Sequence, residues 1–576
     1  MDRTLEMAAP PPVGWRARLR PEHVVMGAAM AALVVLVLLP LLSLVWGSVR
    51  GDDGFTLDFF RRAFTNRLYY QSLRNSLVLG VWTAVVSVLV GLPMAWAVSR
   101  SNVPAKGFIR FTAYISYLTP PFLTAIAFVN LGSPNAGILN TFIRQVLGLP
   151  ELTFNIFSMW GLVLVTVLHT FPYVYLLASS ALESVDASLE ESARMLGAGT
   201  FRTALTITAP LVAPSVLAGA LLAFVNAIAL FGSQAILGLP GRIYTLPTRI
   251  YSLFDYPPQY GLASALSLIF VAVTVLALWL QRSYLSKRSY VTVAGKGVRP
   301  QLVQLGASRW AVFAFCAAVF VVAIVLPYST LLAVSVSKSW GLAFWQNLTL
   351  EHYRWVLVDY DPTRRAILNS LGLAAAAATI VVLIGAVISW IDLRTATPGR
   401  RLLDYLSLVP LGLPGVVMAV ALIQFWLKAA PALYGTLAII LLAYAGRFVP
   451  LGVRAASASL RQIDQSLEEG ARISGASWMR TMRSVTLPLM RSGLFAGWLL
   501  VFVPAIQELS ASILLFTSST MTLAVAVYNL YENGYLEPVA ALAVVNMFII
   551  GAAMWLAQRI GRRAGGAAPQ SRGVTQ

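Results

Sequence analysis

Ser188 to Leu211 reads SLEESARMLGAGTFRTALTITAPL, and Ser466 to Leu489 reads SLEEGARISGASWMRTMRSVTLPL. Both carry one frame, Ser-Leu-Glu-Glu, Ala-Arg, Gly-Ala, Arg-Thr and Pro-Leu, displaced by 278 residues throughout. Each is a charged insert in a chain that is 58% hydrophobic and 11% charged, whereas a soluble domain carries about 25% charge.

Outward from the inserts, apolar runs long enough to cross a bilayer recur down the chain. They predict spans at 24–48, 72–98, 108–131, 156–180, 212–238 and 262–282, then at 309–335, 365–391, 402–428, 432–458, 490–516 and 539–558. The expected class is an all-α membrane protein with twelve transmembrane helices. The runs are continuously apolar rather than alternating, which excludes a β-barrel. Lys and Arg collect on the cytoplasmic side of such proteins, so the net charge of +19 calls for no nucleic acid. With both termini and both inserts inside, the inner loops hold about 28 Lys and Arg against about 13 outside, with one more inside a span. Arg61, Arg62 and Arg67 run against this count, and Asp52, Asp53 and Asp58 offset them. Arg16, Arg18 and Arg20 precede a first run with no cleavage site, which reads as an uncleaved span. The lone Cys316 offers neither a disulfide nor a thiolate cluster.

The repeat divides the chain. Residues 1–23 form a cytoplasmic N-terminus, 24–285 a first six-span unit, 286–308 a basic linker, 309–560 a second unit and 561–576 a tail. The inserts occupy 186–211 and 464–489. Asn75-Ser76-Leu77 matches Asn369-Ser370-Leu371, and Gly219, Leu221, Leu222, Phe224 and Val225 match Gly497, Leu499, Leu500, Phe502 and Val503. An even number of spans per unit makes the two parallel, related by a pseudo-twofold axis along the membrane normal.

Within each insert, Ser188 with Glu191 and Ser466 with Glu469 have the spacing of a capping box. Gly197 and Gly475 predict the end of the first short helix, and Pro210 and Pro488 the end of a second. Leu189, Ala193 and Leu196 share a face, as do Leu467, Ala471 and Ser474. Two bent elements at one membrane face suit docking into grooves on two copies of a partner.

The run Glu191-Ser192-Ala193, Gly197, Ile207-Thr208-Ala209-Pro210, with Glu469-Gly470-Ala471, Gly475, Val485-Thr486-Leu487-Pro488, resembles the EAA loop of ABC importer permeases. Ser192, Gly470, Ala209 and Val485 depart from that signature while staying small or apolar. The resemblance spans nearly the whole chain and implies two fused units of the type I permease fold. It implies that Glu190, Glu191, Ala193, Gly197 and Pro210, with Glu468, Glu469, Ala471, Gly475 and Pro488, couple to two copies of an ATP-binding subunit. It further implies an inner-membrane transport permease rather than an enzyme, fed by a periplasmic solute-binding protein. ATP and Mg would sit in the partner subunits, with no cofactor in this chain. The sequence agrees in lacking any G-x-x-x-x-G-K-[ST] phosphate loop. The stretches Phe231–Tyr244 and Gln507–Leu515 are similar to the ferric-iron group, which puts ferric iron first as cargo. Thiamine, polyamines, phosphonates and sugar phosphates stay open. An ion-coupled secondary transporter is the alternative of a different class, and the paired inserts speak against it.

Ionisable groups inside spans are expensive and mark candidate sites. His169 and Arg447 occupy the same place in the two units, each with a proline three residues on, Pro172 and Pro450. Gln507 and Glu508 lie in the eleventh span, where Leu230 is the counterpart of Glu508. These four residues either line a translocation path or, for Arg447 and Glu508, form an ion pair tying two spans together. His169 taken alone also reads as a core histidine. The tyrosines of the outer loops, Tyr244, Tyr251, Tyr256, Tyr260, Tyr528, Tyr531 and Tyr535, read either as an interfacial belt or as a contact for the binding protein.

Overall fold

The computed structural model describes residues 21–286 and 302–565. Most of the N-terminal segment, the linker and the tail, with Arg16, Arg18 and Arg20, therefore lies outside the described residues.

Among the described residues the regular elements are helices, apart from one two-stranded hairpin at Arg50–Phe55 and two isolated bridges, Ser101 with Val303 and Ser337 with Leu348. The spans of the first unit are Glu22–Val49, Arg67–Arg100, Met159–Ser184, Ala204–Ala229 and Tyr260–Ser283, with Lys106–Leu118 and Pro121–Gly132 forming a broken third span. Those of the second unit are Gly306–Ser335, Asp361–Arg394, Leu437–Arg461, Trp478–Ile506 and Leu536–Leu556, with Arg400–Gly412 and Gly415–Ala429 forming a broken ninth. Among the described residues ten helices are long and apolar enough to cross a bilayer, or up to twelve spans with each broken pair as one.

The breaks depart from the straight spans expected at 108–131 and 402–428. The pairs bend by 98° and 113°. Proline accounts for both: Pro120-Pro121 and Pro414-Gly415 remove backbone donors and push the preceding residue out of the helical region. The fifth and eleventh spans also end earlier than expected. The first stops at Ala229 and resumes as Gly232–Gly238; the second stops at Ile506 and resumes as Ser512–Leu515.

Each unit is built around its second and fourth spans. Gly91 lies so close to the fourth span that a Cβ there would stand 2.8 Å from the Phe171 carbonyl oxygen. In the second unit a Cβ on Gly385 would stand 2.5 Å from the carbonyl carbon of Gly452. Small residues at such crossings let backbones meet, and packing takes over the role that hydrophobicity plays in water. Hydroxyls bridge the same seam, Ser87 with Thr170 at 3.0 Å, and Ser389 donating to the Val453 carbonyl at 3.0 Å.

The Asn-Ser repeat pins the chain at the end opposite the inserts. Asn75 Nδ2 donates to the Tyr244 carbonyl and Asn369 Nδ2 to that of Met521. Ser76 Oγ accepts from Leu246 N–H and Ser370 Oγ from Leu523 N–H. One dipeptide thus serves one purpose twice. The tyrosines nearby divide: Tyr256 is exposed, while Tyr528 is buried with its ring 5.8 Å from that of Phe231 and its hydroxyl on Glu532.

The units are not separate bodies. The first span packs against the ninth of the other unit, and the seventh against the third. Polar contacts cross the same boundary. Gln424 Nε2 donates to Ser264 Oγ at 3.1 Å, Thr274 Oγ1 to the Gly412 carbonyl at 2.6 Å, and the Thr119 and Tyr328 hydroxyls meet at 2.9 Å.

Candidate functional site: the paired inserts and the central cavity

The first short helix of each insert is Ala187–Met195 or Gln465–Ile473. Its cap corrects the expected capping box. Asp186 and Asp464, rather than Ser188 and Ser466, supply the capping oxygen, each accepting from the serine N–H at 2.9 Å. The Asp carboxylate reaches the N–H two residues on from just outside the helix, as a helix-capping residue does. Those amides hold both carboxyls below the ordinary Asp value. Gly197 and Gly475 then take positive φ of 84° and 83°, a region costly for residues with a Cβ.

The second correction concerns Pro210 and Pro488, which do not stop the following helix. Wide π-helical turns at Ala204–Thr208 and Met482–Thr486 precede them, and the helix continues into the fifth or eleventh span. A π turn re-spaces the ladder where proline lacks its N–H, so the chain passes through without a break. The insert is therefore joined rigidly to the span that follows it.

It is anchored to the preceding spans as well. Glu190 and Glu468 are buried, while Glu191 is half-buried and Glu469 exposed. Glu190 accepts from Thr208 Oγ1 at 2.7 Å and faces Arg100 Nη1 at 3.5 Å. Glu468 accepts from Thr486 Oγ1 at 3.1 Å and faces Arg394 Nε at 3.5 Å. The arginines also donate to backbone carbonyls just ahead of the insert, Arg100 to Val185 and Arg394 to Leu460 and Ile463. Arg100 and Arg394 close the second span of each unit. Sequence reasoning missed them by counting them as loop cations. The signal was present, because the offset of 294 residues from Asn75 to Asn369 also carries Arg100 to Arg394.

Outward, the inserts are bare. Met195 is 84% exposed, Leu196 89% and Ile473 87%. Ala193 is half-buried and Ala471 lies in the same place of the second copy.

Deeper in the bundle a cavity of about 780 Å³ lies between the units, and His169, Arg447, Gln507 and Glu508 all line it. The broken spans and the early ends of the fifth and eleventh spans form its walls, through Leu118, Pro121 and Phe122, Pro410–Pro414, Leu230–Ser233 and Gln507–Ser510. On the first unit's wall the His169 ring lies parallel to Tyr117, which meets Tyr173 edge-on at 5.5 Å. His169 Nδ1 is buried without a hydrogen-bond partner. On the opposite wall Arg447 Nη1 meets Glu508 Oε1 at 2.6 Å. Gln507 Nε2 donates across the boundary to the Leu118 carbonyl at 3.1 Å. Glu508 thus forms the ion pair and lines the cavity at once, so the two readings of this pair coincide in space.

The binding-protein-dependent transport system inner membrane component family matches residues 87–289 and 381–565. A putative ferric transport system permease protein FbpB 1 of Haemophilus influenzae is 27% identical over 85% of this chain and 77% of its own. The molybdenum transport system permease protein ModB of Escherichia coli is 30% identical over 37% of this chain and 93% of its own. Among solved structures, a bacterial alginate ABC transporter in complex with an alginate pentasaccharide-bound periplasmic protein aligns with 48% of this chain and 96% of its own, at 19% identity and a TM-score of 0.38. The chain belongs to the family of binding-protein-dependent transport system inner membrane components and carries its domain twice. It is a multi-pass permease of an ABC importer.

Proposed function

We propose that this chain is the translocating subunit for ferric iron, received from a periplasmic binding protein and driven by two ATP-binding subunits, one on each insert. The observation that carries the drive is the pairing. Two inserts of one shape, each held by a buried Arg–Glu pair, present bare apolar side chains at one end of the bundle. Coupling is assigned to Glu190, Glu191, Ala193, Gly197 and Pro210 and to Glu468, Glu469, Ala471, Gly475 and Pro488. ATP and Mg belong to the partners. The excess of Lys and Arg supports placing the inserts and both termini in the cytoplasm. Ferric iron is supported by the FbpB relatives, which match over most of the chain.

The test is purification of the tagged chain from its native membrane, followed by ⁵⁵Fe uptake in proteoliposomes. An ATP-binding protein at two copies per chain and ATP-dependent uptake are expected. Uptake driven by an ion gradient with no such partner would overturn the reading.

A second experiment isolates the inserts. Gly197→Val with Gly475→Val forces a branched residue into the left-handed region, at roughly 1–2 kcal/mol per site. A Cβ added at either glycine would have no atom within 4 Å, so the bundle is untouched. The double variant is expected in the membrane at normal level with ATP-driven uptake lost; wild-type uptake would remove the inserts from the coupling path.

A further inference from the structure

We propose that the central cavity receives its cargo as an oxyanion, either free or as the anionic shell of a ferric complex, with Arg447 as the group that meets it. The ferric form of this statement rests on the function proposed above; the oxyanion form does not.

The charge distribution carries the argument. Arg447 and Glu508 are the charged side chains on the cavity wall among the described residues. They do not present themselves equally. Both Glu508 oxygens turn back into the chain and accept from Ala511 N–H at 3.0 Å. One also takes Arg447 Nη1, and the other takes the N–H and the hydroxyl of Ser512 at 3.1 Å. The Glu508 side chain is 3% exposed and its acceptor sites are filled.

Arg447 is the reverse case. Its side chain is 25% exposed, and only Nη1 has a protein acceptor. The Nε and Nη2 donors remain for the cavity. A guanidinium presents its donors as a fixed fork that matches carboxylate and phosphate oxygens in pairs. The fork is held in place, because a Cβ on Gly415, at the break in the ninth span, would overlap Nη1 at 1.7 Å.

The first unit's wall adds the polar side chains of Tyr117, His169 and Tyr173, and Gln507 stands beside the pair. Among the described residues no group of three or more His, Cys, Asp or Glu could hold a metal ion. A bare ferric cation would face a guanidinium with no open carboxylate to receive it. A ferric ion dressed in phosphate or carboxylate oxygens would present the fork with its natural partner.

The experiment uses the full-length chain in detergent and the complete transporter in proteoliposomes. The probes are [³²P]orthophosphate and [¹⁴C]citrate, each with and without Fe(III). Arg447→Gln with Glu508→Gln removes both charges together, leaving no unpaired buried carboxylate; Arg447→Lys keeps the charge and loses the fork. Thermal unfolding and gel filtration report whether each variant is folded. Labelled anion is expected to bind the wild type and to bind about ten-fold or more weakly to the double variant, as loss of a charge-assisted contact implies. The lysine variant should fall between them. In proteoliposomes, anion is expected to accumulate with ⁵⁵Fe in the wild type, and both are expected to fall together in the double variant. Anion uptake without iron would identify a free oxyanion as cargo and sink the ferric reading alone. Undetectable anion binding by the wild type, equal binding by a folded double variant, or iron accumulation without anion would overturn the proposal.

Discussion

Arg394→Ala is expected to abolish ATP-coupled uptake and to destabilise the chain by about 3–5 kcal/mol, the usual cost of leaving a buried charge without its partner. The side chains of Arg394 and Glu468 are 11% and 4% exposed, so water cannot take over the lost contact. The variant also strips donors from the carbonyls of Leu460 and Ile463, where the chain turns into the insert. Thermal unfolding in detergent and uptake in vesicles measure the two effects. Arg394→Ala with Glu468→Gln separates them. Without a buried charge the double variant should regain most of its stability, yet uptake should stay low because the insert is no longer tied to the second span of its unit. Full uptake in the double variant would show that the pair serves stability alone. Arg100 and Glu190 repeat the arrangement and predict the same pattern.

Gly385→Leu is expected to prevent folding altogether. A Cβ at residue 385 would meet the Gly452 backbone at 2.5 Å, and a backbone cannot swing aside as a side-chain end can. Overpacking usually costs about 1–3 kcal/mol, and here the two helices at the centre of the unit must part. Gel filtration after detergent extraction should show little monodisperse protein. Gly372→Leu lies on the same helix with no atom within 4 Å and controls for the substitution itself, so it should behave as wild type. A monodisperse, active Gly385→Leu protein would contradict this close crossing of the second and fourth spans.

The twelve apolar runs were readable because crossing a bilayer demands length and apolarity, which are properties of a single segment. The inserts were readable because they occur twice in one register. What escaped was decided by partners distant in sequence. Ser188 has suitable spacing for a cap, but the helix starts at Ala187, so Asp186 is the flanking residue and its carboxylate takes the Ser188 N–H. Pro210 marks a helix end in isolation; a π turn, whose cost the surrounding packing offsets, carries the helix past it. The bends at Pro120-Pro121 and Pro414-Gly415 were written in the sequence, yet their size depends on what each half-span packs against. His169, Arg447, Gln507 and Glu508 were singled out one at a time as polar groups in apolar runs. That they share one cavity follows from the early ends of the fifth and eleventh spans, which no local pattern reveals.

Residues 169 and 447 are one position met twice, and so are 230 and 508, but the first pair is His and Arg and the second Leu and Glu. Two identical chains across a twofold axis would place a guanidinium and a carboxylate on both walls, and any cargo could then seat in two equivalent ways. Joining the units in one chain frees each wall to change without its twin. The result here is a chamber with an ionic side and an aromatic side. If this chamber takes the cargo as proposed above, a cargo whose charge is unevenly distributed has a single preferred heading in it.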